Sequence, residues 1–265
     1  MLMYLQGKIV TQKVVAPEYN LLVIEQPAIA KAAQPGQFVM LKAWERRDLV
    51  LPRPFSLYRI LPREGQIQIL YKIRGQGTAE MARRGAGEEV ELIGPSGKGI
   101  TLPATGAIAL LGRGIGAAPL MAIAEAAKGQ GLEVYTFLSA RERSLLLGEE
   151  DFARYSRRVV TSTDDGQEGG GRLLTDLLVD IIEKESPSLQ RVYTCGSRRL
   201  ARGLIPLQAR YGFIAYVLLE EHMACGTGAC KGCVCKVKDP ARPEGYSYQK
   251  VCQDGAVFPV GEVVW

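Results

Sequence analysis

Five of the six cysteines, Cys225, Cys230, Cys233, Cys235 and Cys252, fall between positions 225 and 252 of a 265-residue chain. So tight a grouping marks a site. In a secreted mini-protein it would read as a disulfide framework. This chain is long enough to bury a real core and is expected to be cytoplasmic, without a signal peptide, where clustered thiols more often hold metal. Cys225, Cys230 and Cys233 form C-x4-C-x2-C with Cys252 as a distant fourth, the plant-type ferredoxin spacing in which four thiolates ligate a [2Fe–2S] cluster. The interleaved glycines fit a loop that wraps a cluster and aims N–H groups at sulfur. A four-cysteine zinc site is the alternative, but such sites usually pair two C-x2-C knuckles and only one is present. Cys235 is left over as a thiol in a strand-like run. The single histidine, His222, cannot supply the two imidazoles of a Rieske centre and reads as a loop residue.

Composition excludes several classes. Hydrophobic residues make up 47% and charged residues 23%, which is globular rather than disordered. The net charge of +5 is mild and no strip is strongly basic, so nucleic acid is not an expected partner. No apolar run approaches the ~18 residues that span a bilayer, and no membrane association is expected. No G-x-S-x-G elbow is present, which argues against a serine hydrolase.

Up to about position 100 the pattern is β-rich, with strands expected at 8–15, 20–25, 37–42, 54–60, 66–73 and 88–93. One helix, 78–84, interrupts them. Short strands separated by turn signals predict a small antiparallel barrel. Beyond position 101 the rhythm becomes strand and helix in alternation: strands at 108–111, 134–138, 159–162, 192–195 and 215–219, helices at 117–128, 149–155, 173–183 and 200–210. Nearly all-apolar strands alternating with helices predict a covered parallel sheet. The expected organisation is α/β plus all-β in three units: an N-terminal antiparallel β-barrel over 1–100, a parallel-sheet nucleotide-binding domain over 101–214 and a small C-terminal [2Fe–2S] domain over 215–265.

Two further motifs carry chemistry. Gly112-Arg113-Gly114-Ile115-Gly116-Ala117 follows a strand and opens a helix, where a dinucleotide pyrophosphate sits on helix N–H groups; a tight structural turn is the bland alternative. The acidic residue of the standard fingerprint is absent, because 134–138 runs into Ser139-Ala140-Arg141. In the barrel, Arg53-Pro54-Phe55-Ser56 offers an arginine fork to a pyrophosphate. Gly75-Gln76-Gly77-Thr78 offers a capped helix start from the other side, although an exposed arginine and a plain N-cap would look the same.

In this order, barrel with R-P-F-S and G-x-G-T followed by a G-x-G-x-G-x-x-P domain, the chain resembles the ferredoxin–NADP reductase superfamily. Met223-Ala224-Cys225-Gly226-Thr227-Gly228-Ala229-Cys230, with Cys233 and Cys252 to Phe258, is similar to the electron transfer subunits of dihydroorotate dehydrogenase B. The likeness spans essentially the whole chain, including Leu70-Tyr71-Lys72 and Thr163-Asp164-Asp165-Gly166. It implies an NAD-linked iron–sulfur flavoprotein. Arg53 and Ser56 would then meet the FAD pyrophosphate and ring, with Pro54 and Phe55 shaping that cofactor-binding strand. Leu70, Tyr71 and Lys72 would line the flavin. Gly75, Gly77 and Thr78 would hold its phosphates, and Gly112, Gly114 and Gly116 would receive NAD. Cys225, Cys230, Cys233 and Cys252 would ligate the cluster. The family's electron path runs from dihydroorotate through FMN in a separate catalytic subunit, then the cluster and FAD to NAD+, in pyrimidine biosynthesis. That implies a heterotetramer of two catalytic and two electron transfer subunits. A stand-alone reductase for an oxygenase or ferredoxin acceptor uses the same three cofactors, and a zinc-bound interaction module is the non-enzymatic alternative. Three positions depart from the family pattern: Arg113 in place of glycine, Ser197 after Cys195-Gly196, and Ala256 in place of proline. Cys195 is assigned no role.

Overall fold

The computed structural model describes residues 2–44 and 48–265. Its first unit is a seven-stranded antiparallel sheet: β1 (Met3–Ala16), β2 (Tyr19–Glu25), β3 (Phe38–Lys42), β4 (Arg53–Ser56), β5 (Arg59–Leu61), β6 (Gln66–Lys72) and β7 (Glu89–Ser96). The spatial order is β4-β3-β7-β1-β2-β6-β5. The strand expected at 54–60 is thus two strands, one at each edge of the sheet. Only Leu57 and Tyr58 separate them, so the sheet must curl until its edges meet. That curl encloses one core, with Ile9, Leu22, Ile24, Leu41, Ile67, Ile69 and Leu92 all inside. β1 begins earlier than expected because 3–8 pair with 89–94 of β7 while keeping one face in solvent. Gly7 permits the crossing: a Cβ there would lie 2.6 Å from Ile24 and 2.8 Å from Leu92.

Among the described residues two helices, not one, interrupt these strands. α2 (Gln76–Ala82) matches the expected position, and α1 (Pro27–Ala32) is additional. α1 is a short segment with Pro27 in its first turn and the Gln26 side chain accepting from the Ala28 N–H, and it buries only Ile29 and Ala30. Six residues are too few for a period to show.

The second unit holds β8 (Ala107–Arg113), α3 (Ala118–Gly129), β9 (Glu133–Ala140), α4 (Glu149–Tyr155), β10 (Arg158–Thr163), α5 (Leu174–Glu185), β11 (Leu189–Cys195), α6 (Arg198–Tyr211) and β12 (Ile214–Leu218). Their sheet order is β10-β9-β8-β11-β12, all parallel. The chain runs outward from β8 to β10 and then restarts at β11 on the other side. The switch point therefore lies between β8 and β11, where an open α/β sheet leaves a crevice. The boundary expected at 214–215 falls inside β12, which belongs wholly to this sheet.

The last segment carries the hairpin β13 (Val234–Lys238) and β14 (Tyr246–Lys250), the single turn α7 (Val251–Asp254), and β15 (Val257–Pro259). β15 returns antiparallel to the edge strand β12, so the cysteine segment is tied to the second sheet from both ends. Cys233, Val237, Val251 and Cys252 share a core with Leu111, Phe137 and Leu204 of that sheet. No helix among the described residues is long and apolar enough to cross a membrane.

Candidate functional site

A cleft of about 740 Å³ opens between the curled sheet and the switch point of the parallel sheet. All ten residues expected to meet a flavin line it: Arg53, Pro54, Phe55, Ser56, Leu70, Tyr71, Lys72, Gly75, Gly77 and Thr78. Their convergence follows from topology, since β4 and β6 approach each other where the sheet curls shut and α2 follows directly on β6. The volume is within the ~300–1,000 Å³ usual for cofactor clefts.

Arg53 is oriented by its own loop. Its guanidinium donates to the Leu51 carbonyl oxygen at 2.6 Å and lies 5.5 Å above the Trp44 ring. Trp44 is buried and donates its indole N–H to the Leu49 carbonyl at 2.5 Å. Gly77 packs on the same indole, where a Cβ would come within 3.0 Å of Trp44. Trp44 is thus the platform that sets the arginine beside the start of α2, a role sequence patterning gave no sign of. The N-cap position of α2 is Gly75 rather than Thr78. Thr78 sits one turn in, and its hydroxyl accepts from the Arg74 and Gly75 N–H groups at 2.9 and 3.2 Å. Tyr71 donates to Gln12 Oε1 at 2.9 Å and accepts from Asn20 Nδ2 at 3.2 Å, and burial pushes its phenol up to about 12. That ring is a fixed, neutral wall of the cleft.

The opposite wall comes from the parallel sheet: Ile115, Ala118, Cys195, Leu218, Glu220 and Met223. Cys195 follows from register, because it pairs with Gly112 across the switch point. Its buried thiol lies 3.5 Å from Glu220 Oε1 as donor, and burial followed by the Glu220 charge raises its pKa well above the ordinary thiol value. It is a protonated group in the cleft wall, and single-sequence reading missed it because β8 and β11 are some 80 positions apart. His222 lies in a loop as expected, and that loop also lines the cleft.

The glycine loop divides labour among its members. A Cβ on Gly112 would strike Ala117 at 2.8 Å, and one on Gly116 would meet the Cys195 and Gly196 backbone at 2.4–2.5 Å. Gly114 has a φ of +54° with nothing near it, leaving its backbone open to a ligand. Gly112 and Gly116 thus hold the packing while Gly114 presents the loop.

The four expected cluster ligands gather as two pairs. Cys225 and Cys230 lie with sulfurs 3.3 Å apart, and the buried Cys252 N–H donates to Cys233 Sγ at 3.4 Å. All are free thiols. Backbone N–H groups of Thr227 and Cys230 point at Cys225 Sγ, and that of Gly232 at Cys230 Sγ, each at 3.4 Å. Burial opposes charge on Cys225, but the bonds from Thr227 and Cys230 outweigh it and bring the thiol down to about 6. Among the described residues no three His, Cys, Asp or Glu side chains converge on one metal-ion point. Two thiol pairs with N–H groups aimed at sulfur fit a dinuclear iron–sulfur cluster better than a single tetrahedral zinc. Cys235 stands outside both pairs, on β13 opposite Gln249, with its thiol pushed up to about 11 chiefly by burial. Met223, two residues before Cys225, and Ala256, four after Cys252, both line the cleft, so thiol segment and cleft share a wall.

Residues 220–264 match the family model for the iron–sulfur cluster binding domain of dihydroorotate dehydrogenase B. The chain is 35% identical over 260 residues to the dihydroorotate dehydrogenase B (NAD(+)) electron transfer subunit of Geobacillus thermodenitrificans, covering 97% of this chain and 96% of that one. The chain belongs to this family of electron transfer subunits. The family likeness extends to solved structures. An NADH-dependent reduced ferredoxin-NADP oxidoreductase superposes with a TM-score of 0.84 at 28% identity, over 98% of this chain and 90% of that one. A ferredoxin NADP+ reductase from Neisseria gonorrhoeae with bound FAD and NADP shares the fold, with a TM-score of 0.64 at 19% identity over 79% of this chain and 92% of that one.

Proposed function

We propose that this chain is the electron transfer subunit of a dihydroorotate dehydrogenase, delivering electrons from an FMN-containing catalytic partner to NAD+ through a [2Fe–2S] cluster and FAD, in pyrimidine biosynthesis. The observation that carries the reading is the shared wall. A cofactor-sized cleft holding all ten expected flavin residues is also lined by Met223 and Ala256, which flank the thiol segment, and by Ile115 of the glycine loop.

Bound FAD supplies the exchange between hydride transfer with NAD and single-electron transfer with the cluster. The protein's part is placement. Arg53, fixed over Trp44, would meet the pyrophosphate, as would the open backbone of Gly75, and Ser56, Leu70, Tyr71 and Lys72 would wall the ring. Cys225 and the exposed Cys230, together with the buried Cys233 and Cys252, would hold the cluster. Gly114 would receive the dinucleotide at the switch point, beside Ile115 and Cys195 of the cleft wall. The working division of the chain is an FAD-binding unit over 1–100, an NAD-binding unit from 101 through the end of β12 and a cluster unit beyond it. The exposed Cys230 loop faces the catalytic partner, two copies of each chain form the complex, and its compartment is the cytoplasm.

The test is reconstitution. Mixed with an FMN-containing dihydroorotate-oxidising subunit, the loaded chain should reduce NAD+ when dihydroorotate is added, and sedimentation should give a two-plus-two assembly. Failure to couple dihydroorotate to NAD+ while still passing electrons from NADH to a small ferredoxin would instead make the chain a stand-alone reductase.

A further inference from the structure

A second cavity, of about 410 Å³, lies at the C-terminal ends of β8, β9 and β10, beyond the glycine loop from the flavin cleft. It is where the far half of a dinucleotide would extend, and the inference below rests on the dinucleotide reading above. Sequence comparison with the standard fingerprint leaves this end without its acid, since β9 terminates in Ser139-Ala140 and continues to Arg141. The structure supplies one from elsewhere. Asp164, just past the end of β10, reaches over the end of β9 to Arg113 of β8 and accepts both guanidinium bonds, at 3.1 and 2.7 Å. Arg113, Asp164 and Ser139 all line the cavity.

The remaining charges here are cationic. Arg172 lines the cavity but is taken up by Asp180 at 2.8 Å. Arg199 lines it as well, and Arg141 lies close enough to act on Asp164 electrostatically. With Arg113 added, this would be a basic pocket suited to a ribose 2′-phosphate, were it not for the carboxylate clamped in its midst. An anion beside a fixed carboxylate is repelled, whereas a ribose hydroxyl donates to it. The bidentate fork also fixes the direction in which the carboxylate faces.

We propose that Asp164, held across the strand ends by Arg113, is the residue by which this chain selects a dinucleotide lacking a 2′-phosphate. The arginine in the glycine loop is then a positioning residue rather than an obstacle to the ligand. It presents the acid that the usual fingerprint carries one strand earlier.

Calorimetric titration of the FAD- and cluster-loaded chain with ADP-ribose and with 2′-phospho-ADP-ribose tests this without turnover. Wild type should favour ADP-ribose. In Asp164→Asn the affinity for the 2′-phosphorylated probe should rise by about tenfold or more, as expected when a like-charge contact is removed, while that for ADP-ribose changes by less than about threefold. In Arg113→Gln, which leaves the carboxylate without its cation, discrimination against the phosphate should widen. Visible spectra confirm that each variant keeps its cofactors. A wild-type chain that binds both probes and an Asp164→Asn chain with an unchanged ratio would overturn the proposal alone. Binding of neither probe by wild type would overturn the dinucleotide reading itself.

Discussion

Arg59→Ala tests whether the two large units work as one body. Arg59 opens β5, and its guanidinium reaches α3 and α4 of the other unit. It donates to Glu125 Oε2 at 3.1 Å and Oε1 at 2.8 Å, and to the Tyr155 hydroxyl at 2.8 Å. Both ion-pair side chains are mostly covered, at 21% and 29% exposure. Hydrogen bonds to charged groups contribute about 1.5–3 kcal/mol each, and breaking a fully buried pair costs about 3–5 kcal/mol. A three-bond contact that is partly wet should cost less than the sum, about 2–3 kcal/mol. For a chain of this size that lowers Tm by about 4–10 °C. Urea or thermal unfolding of the loaded chain reads the loss, and a double-mutant cycle with Glu125→Ala should return a coupling of about 1–2 kcal/mol. Because the flavin cleft is walled by both units, NADH-driven flavin reduction should slow in the same variant. A stability change within about 0.5 kcal/mol together with zero coupling would refute the claim that this contact joins the units.

Arg53→Ala should weaken FAD retention by about tenfold or more through loss of a charge-assisted fork, and Trp44→Leu should do likewise with Arg53 intact; fluorescence of released flavin measures both. Cys235→Ser should keep a full iron and sulfide content, whereas Cys230→Ser should lose it. Gly116→Val should fail to fold or to bind dinucleotide, because its Cβ would overlap the Cys195 backbone at 2.4 Å, and soluble yield with circular dichroism reads this. The hydrogen bonds from Arg113, ahead of opposing desolvation, hold the Asp164 carboxyl below the ordinary carboxylate value. The contribution of that pair is therefore present above the unfolded Asp value near ~3.9 and lost as pH falls through the lower folded one. A carboxyl-carbon NMR titration should show Asp164 ionised across pH 5–8 and returning toward the ordinary value in Arg113→Ala.

The chemistry was more legible than the connections. Cysteine spacing alone singled out four candidate ligands and set Cys235 aside, and the structure gathers the same four in two pairs. R-P-F-S, L-Y-K and G-x-G-T line one cleft because the first is β4 itself, the second ends β6 and the third opens α2, where local sequence and position coincide. What depends on distant pairing was not readable. Leu57-Tyr58 carries no turn signal, yet it separates two strands at opposite edges, a consequence of closing the sheet. α1 is too short for a period, and Trp44 looks like any core aromatic until Arg53 and Gly77 are seen on its ring. Cys195 acquires a place in the cleft only through its register with Gly112, and Asp164 only through a bond that crosses a whole strand end.

If flavin cleft and thiol pairs form one electron path, the visible spectrum of the anaerobically purified chain should show both cofactors responding together. With iron and acid-labile sulfide assayed alongside, the chain should give flavin bands over a broad iron–sulfur background, two iron and two sulfide per chain for a [2Fe–2S] cluster, and bleaching of both on adding NADH. A colourless chain carrying one zinc and reconstituting neither flavin nor cluster would contradict it.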